Sequence, residues 1–600
     1  MKKTLFRTIM CVGIASMLLG GCTNDDVYNP EAVVKRYENA WEKQFGKVDP
    51  NQTWNTAKQV TANIDLTPLA GDYTLKIYTA NPINKGACLL AKKQINGSGS
   101  IIFDVPQTLG YVFVEAESKS RKTVNSYYPV SGDAINISNH VQTRAGENCN
   151  ATIGEPYTLT YKGWNSAEGR NFSFTHTFAQ LQNVEKKEGD TWQAKDWLHI
   201  VGYEGVFKEG ENNLTKWKDR LGTSVEYVTR TEGPVELSLN YGATQNRYSI
   251  GYFYYKTGED LDQATRYVLF NNYNPNNFIT IDGSPMTGDG MTLANIGDGW
   301  GQVSPDAHIT GSKIKLVYND NGTPSYTFPA GTHIVFFVSK SNKPTADIYN
   351  IWNSITYTDG YNPYNVEPNS QIHTCAVTYK YRNQIILGIE DGGDWDMNDL
   401  LFFVDGEFAD EPEDIDPAPT PDTGLSWILA CEDLGSTDDF DFNDIVFSVS
   451  HVSGETTATV TPLAAGGTLP AYICFGSQEL GEIHTLLGGS STTEFINTTG
   501  SKGTAGEPVT INVDKDFSMA SNNMGGFSVK VITKDNSEAT VRITAPGQGT
   551  APQMICVPGE WAWPTERTNI SDAYPAFGEW GANYATNKDW YKKPNGGVVK

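Results

Sequence analysis

The chain has 600 residues and a net charge of −25, with 70 acidic against 45 basic side chains. That balance excludes nucleic acid and anionic membrane surfaces as partners of the folded body, because phosphates are repelled, and leaves cations and neutral polymers. The length allows several full cores, and 58 Gly, 30 Tyr and 14 Trp favour strands joined by turns over helices.

Lys2, Lys3 and Arg7 open the chain, followed by an apolar run from Ile9 to Leu19 that is too short to cross a bilayer as a helix. Residues 1–21 therefore read as a signal peptide, ending in Leu19-Gly20-Gly21-Cys22. A plain secretory peptide ends in a small-x-small site. A Leu before two Gly and a Cys instead resembles the bacterial lipoprotein signal, which implies that Cys22 is the lipidated first residue of the mature chain. Asp25 and Asp26 follow closely, an arrangement that resembles the export signal to the outer face of the outer membrane. Residues 22–55 are expected to form a tether with one short helix. Val33, Val34, Tyr37, Trp41 and Phe45 make one apolar stripe, Gly46 ends it, and Trp54 is expected to anchor the chain into the domain that follows.

From Tyr73 the pattern has period two, as in Ile101-Ile-Phe-Asp-Val, with turn signals such as Asn96-Gly97 between runs. Residues 56–142 read as a small β-sandwich and 154–407 as a second β-domain, with room for a short helix between Trp192 and Trp217. Residues 408–424 are acidic and Pro-rich and are expected to act as a stiff spacer. Residues 425–600 form the last domain. The predicted class is mainly β, with serial β-sandwich-like domains behind a short N-terminal helix. Past Cys22 six cysteines remain: Cys88, Cys149, Cys375, Cys431, Cys474 and Cys556. Without a CxxC they indicate neither a zinc site nor a disulfide scaffold, and their pairing cannot be read from spacing. Cys431 and Cys474 lie in apolar runs and are expected to be buried thiols.

One motif occurs twice, on either side of the linker. The first copy runs Glu390-Asp391-Gly-Gly-Asp394-Trp-Asp396-Met-Asn398-Asp399, and the second has Glu432-Asp433 and then Asp439-Phe-Asp441-Phe-Asn443-Asp444. In an extended chain alternate side chains point the same way, so Asp394, Asp396 and Asn398 are expected to converge, as are Asp439, Asp441 and Asn443. Neither copy contains Lys or Arg, so the acids need a cation or must raise their pKa values. Hard oxygens at this spacing suit Ca²⁺, and Glu390, Asp391, Glu432 and Asp433 stand close enough in sequence to complete the shells. The match to an EF-hand is partial, because Asp399 and Asp444 occupy the position where the sharp turn needs Gly. The same acids could instead cap turns without metal. Asp396 and Asp441 could also be nominated as a glycosidase pair. HExxH, GxSxG and P-loop signatures are missing, and His484 in a strand-like run reads as structural.

The last domain resembles the LruC-domain family of bacterial outer-membrane lipoproteins. The stretches that carry the resemblance are Trp427-Ile-Leu-Ala-Cys-Glu-Asp, Asp439-Phe-Asp-Phe-Asn-Asp, Leu463-Ala-Ala-Gly-Gly-Thr-Leu-Pro, Gly481-Glu-Ile-His and Trp563-Pro-Thr-Glu-Arg. Residues 248–403 resemble a related secreted β-domain through Phe328-Pro-Ala-Gly-Thr-His. The family has no established reaction, so the resemblance implies a location and a fold rather than an activity. The reading is a surface-exposed, non-enzymatic binding or adhesion module for a glycan or other surface polymer. A glycan-processing hydrolase and a pilus-like component are the alternatives. Labelled palmitate should enter the wild-type protein and not Cys22→Ala. Protease added to intact cells should remove the body, and protection until lysis would contradict the outward orientation.

Overall fold

The computed structural model describes residues 29–66, 71–117, 122–138, 149–165, 170–193, 196, 199–200, 205–208, 210–217, 219–221, 227–242, 248–273, 308–339, 355–357, 375–382, 384–390, 395–415, 423–435, 438–499, 503–559 and 561–600. Cys22, Asp391 and Asp394 lie outside the described residues. Helix α1 spans Pro30–Phe45. Its start is set by the Asn29 side chain, which accepts from Ala32 N–H at 3.2 Å, and by Pro at its first turn; Gly46, at φ 81°, ends it. Tyr37 and Trp41 are its buried face.

The first sandwich has seven strands: β1 (Ala57–Asp65), β2 (Asp72–Tyr78), β3 (Leu89–Asn96), β4 (Ser98–Pro106), β5 (Tyr111–Glu117), β6 (Lys122–Pro129) and β7 (Ala134–Ser138). They form a three-stranded sheet β4-β1-β7 and a four-stranded sheet β3-β2-β5-β6. Val60, Ala62 and Ile64 alternate into the core from β1.

The second region holds an eight-stranded and a six-stranded sheet. The six-stranded sheet matters for the site. Its neighbouring strands Gln384–Glu390 and Leu400–Asp405 pair antiparallel, with Ile386 opposite Phe403 and Ile389 opposite Leu400, so the first acidic motif is the loop between two buried strands. In the last region the strands Ser426–Cys431 and Ile445–His451 pair in the same way within a five-stranded sheet, and a four-stranded sheet completes the sandwich. The protein is thus mainly β, as the alternation predicts. The one-turn helix Asn213–Lys216 falls in the stretch expected to hold a short helix. Among the described residues no helix is long and apolar enough to cross a membrane.

Three features differ from expectation. The helix region is no free tether, because α1, the first sandwich and the last sandwich share one hydrophobic core. Trp54 is fully buried against Trp41, Phe577 and Trp580, with centroid distances of 5.2, 5.8 and 5.5 Å, and so anchors the chain to its C-terminal part. An apolar helix stripe cannot stay solvated, and α1 finds its cover about 400 residues away. The linker also starts as a docked segment: Phe408 and Ile415 are buried, Lys380 meets Glu411 at 2.7 Å, and Ile415 N–H donates to Lys380 C=O at 2.9 Å. As expected, Cys431 and Cys474 are buried free thiols, and Cys149 and Cys556 are free as well.

Trp41 is 2 % exposed, so Trp41→Ala should cost about 3–5 kcal/mol. Urea denaturation followed by a probe in the last sandwich measures this, and an unchanged midpoint would mean that α1 does not belong to that core.

Candidate metal centre

The second motif folds into a buried acidic loop. Glu432 Oε1 accepts from Phe442 N–H at 2.7 Å, and Asp441 Oδ1 accepts from Asn443 N–H at 3.3 Å. Asp441 Oδ2 accepts from Arg567 N–H at 2.7 Å, and Asp444 Oδ2 from Asp433 N–H at 2.7 Å. Asn443 Nδ2 donates to Pro564 C=O at 3.1 Å, which leaves its Oδ1 buried without a donor. Glu566 Oε2 is also buried without a donor. Asp439, Asp441 and Glu566 each bring a carboxylate oxygen within 4.8 Å of the others. A Cβ on Gly466 would stand 2.1 Å from Asn443 Oδ1 and 2.9 Å from Glu566 Oε2, so both oxygens approach this backbone more closely than any residue but glycine allows.

The backbone corrects the extended reading of this motif. Phe440 and Phe442 have φ of 54° and 50°, and in the first copy Trp395 and Met397 both have φ of 63°. An extended chain would hold alternate carboxylates about 6.6 Å apart, too far to share one ion. Left-handed residues between the acids curl the chain around them. Each such bulky residue costs about 1–3 kcal/mol, which burial of Phe440, Phe442 and Met397 offsets.

The first copy repeats these bonds. Glu390 Oε2 accepts from Met397 N–H at 3.3 Å, Asp396 Oδ1 from Asn398 N–H at 3.2 Å, and Asp396 Oδ2 from Gly210 N–H at 2.9 Å. Asn398 Nδ2 donates to Phe207 C=O at 3.0 Å, and its Oδ1 is again a buried orphan. Glu390, Asp396 and Asp399 bring carboxylate oxygens within 4.8 Å of one another.

The supporting segments match as well. A left-handed residue, Gly210 or Arg567, gives its N–H to the second Asp, and the carbonyl three residues earlier holds the Asn. A one-turn helix capped by Asn212 or Asn569 follows. Its first N–H, from Asn213 or Ile570, donates at 2.9 Å to the carbonyl of Trp395 or Phe440. Sequence reasoning missed Glu566 and both supports.

Not every nominated acid faces the cage. Asp433 Oδ1 is spent on Gly435 N–H at 2.6 Å and sets the turn. Asp396 and Asp441 sit on separate loops, each held by its own support, Gly210 N–H and Arg567 N–H. His484 is buried between Glu482 Oε1 at 2.8 Å and Gly467 C=O at 3.2 Å, where it braces the glycine turn over the loop.

Burial pushes Glu432 and Asp444 well above the usual carboxylate range, with further repulsion from Asp444 and Asp441 on Glu432 and from Asp433 and Asp441 on Asp444. Burial and then Asp439 raise Asp441 to about 8. Burial also raises Asp433, Asp439 and Glu566. The nearby bases stay at the rim: Arg567 is largely exposed at 3.9 Å from Glu566, and Arg36 of α1 pairs with Asp438 at 3.1 Å. The donor set is carboxylate and amide oxygen throughout, which is hard-cation chemistry.

Residues 527–591 match the family model described as a domain of unknown function (DUF4842), a segment that contains Glu566 and its supporting helix. No curated protein matches the chain. The crystal structure of a candidate lipoprotein from Bacteroides ovatus is similar at 12% identity, over 38% of this chain and 90% of that one, with a TM-score of 0.18. That score is too low to carry an argument about fold.

With chelator present, stability should fall as pH rises from about 4 towards 8. Unfolded carboxylates lose their protons near pH 4, whereas folded Asp441 holds its proton to about 8, so the folded state binds more protons across that window. Saturating Ca²⁺ should remove or reverse the slope, because the metal replaces the protons. Urea midpoints measured against pH with and without Ca²⁺ decide this; two coincident curves would contradict it.

Proposed function

We propose that this chain is a lipid-anchored outer-membrane protein, held by Cys22 with its body facing the cell exterior. On this reading it is a non-enzymatic binding or adhesion module for a glycan or other surface polymer. Its last sandwich is LruC-like, and its two acidic loops are set by Ca²⁺. The observation that carries the metal reading is the repeated cage. The same buried acids, the same left-handed backbone and the same orphan Asn oxygen occur twice, on supports that share little sequence. A turn cap would satisfy its own acceptors; Asn398 Oδ1 and Asn443 Oδ1 are left for a partner that is not a protein donor. Asp396, Asn398 and Asp399 with Glu390 form the first shell. Asp439, Asp441, Asn443 and Glu566 form the second, with Glu432 and Asp444 behind them. Mg²⁺ fits less well, since it demands strict octahedral geometry and keeps its water.

Binding to the folded state alone should stabilise it by about 2.7 kcal/mol at a hundredfold excess over Kd. Calorimetry and thermal melts on the chelator-stripped ectodomain should show heat and a rising melting temperature with added Ca²⁺. Asp396→Ala and Asp441→Ala should each remove part of the response. Neither heat nor shift at millimolar calcium would rule out the metal.

A further inference from the structure

A cleft of about 440 Å³ opens where the first and last sandwiches meet, within the size range of small-ligand sites. Its lining is dominated by uncharged amides and hydroxyls, with a single Lys and a single Asp, in a chain whose net charge is −25. Lys58 and Asp133 cancel in net charge, so the lining as a whole favours neither an anion nor a cation. Many fixed donors and acceptors without net charge suit the hydroxyl groups of a neutral sugar.

The walls are cross-braced. Asn55 Nδ2 donates to Met519 C=O at 2.7 Å, and Thr56 N–H to Cys556 C=O at 3.0 Å. Gln107 Nε2 bonds both Asn55 C=O and Tyr584 Oη at 2.9 Å, so the floor is preformed. These bonds leave Gln107 Oε1 shielded from solvent and without a donor. Lys58 Nζ donates to Gly132 C=O at 2.9 Å, which spends one of its three donors away from a ligand. Gln59 and Asn522 line the cleft and are exposed.

At the rim, Thr61 sits directly opposite Ile102 across β1 and β4, and Ile102 is 53% exposed, one of two large apolar side chains so exposed among the described residues. Cross-strand partners share a face, so an apolar surface adjoins the polar lining. A sugar ring presents that same combination, hydroxyls at its edge and C–H groups on its face.

We propose that this cleft is the seat of a neutral oligosaccharide, bonded by Gln59, Asn522 and Tyr584 over the floor that Gln107 braces, with Ile102 under its apolar face. The inference rests on the glycan-binding reading given above and adds to it the site and the uncharged class of ligand. The test is an array of neutral and acidic oligosaccharides probed with the intact ectodomain, residues 23–600, followed by calorimetry on the neutral sugar retained.

Gln59→Ala and Asn522→Ala should each weaken binding roughly tenfold, the loss expected for one ligand hydrogen bond. Thr61→Arg should plug the cleft and abolish retention while the melting temperature holds. A neutral sugar bound equally by all three variants would overturn the cleft and leave the glycan reading standing. Retention of acidic sugars alone would do the same. No retained sugar of either kind would overturn the glycan reading itself, and the cleft with it.

Discussion

Glu432 and Asp441 are 1% and 2% exposed, Asp444 is half-buried beside them, and among the described residues no salt bridge joins any of the three to a base. Like charges in such a place cannot all be ionised without a compensating cation. The surrounding architecture follows from that constraint. Left-handed residues bring the acids together, backbone N–H groups from Phe442, Asn443 and Arg567 hold them, and Gly466 lets Asn443 Oδ1 and Glu566 approach its backbone closely.

The same loop ties distant parts of the chain. Curling the backbone around the acids turns the Phe440 ring outward onto Tyr37, Trp41 and Phe45 of α1, at 5.0, 5.4 and 5.5 Å. Phe442 packs on Phe577 at 5.9 Å from the other side of the motif, and Arg36 bonds Gly435 C=O and Asp438. Whatever neutralises the acids therefore also sets the aromatic cluster that receives the N-terminal helix. In the first copy Trp395 plays the comparable part, with its carbonyl taking N–H groups from Asn213 and Leu214.

Much of this was legible in the sequence, and the failures have physical causes. The stripe of α1, the alternation in β1 and β4, and the duplicated acids all reflect short-range periodicity, which a single chain displays directly. The curl of the motif was not legible, because nothing in Asp-Phe-Asp-Phe-Asn announces left-handed aromatics; the default for such alternation is a strand. Glu566 and the supports were missed because their common signal is only Glu-x-x-Asn, at Glu209 to Asn212 and at Glu566 to Asn569. They also lie before the motif in one copy and after it in the other. The burial of Trp54 against Phe577 and Trp580 likewise depends on pairing across more than 500 residues, which local pattern does not encode.

The account turns on whether a cation joins Asn443 Oδ1 to the carboxylates. A crystal structure grown in millimolar Ca²⁺, with the anomalous signal measured, addresses it directly. A cation peak about 2.3–2.6 Å from Asn443 Oδ1 and from oxygens of Asp439, Asp441 or Glu566 is the predicted result. No anomalous signal at the loop, with Glu566 protonated and donating to Asn443 Oδ1, would contradict it.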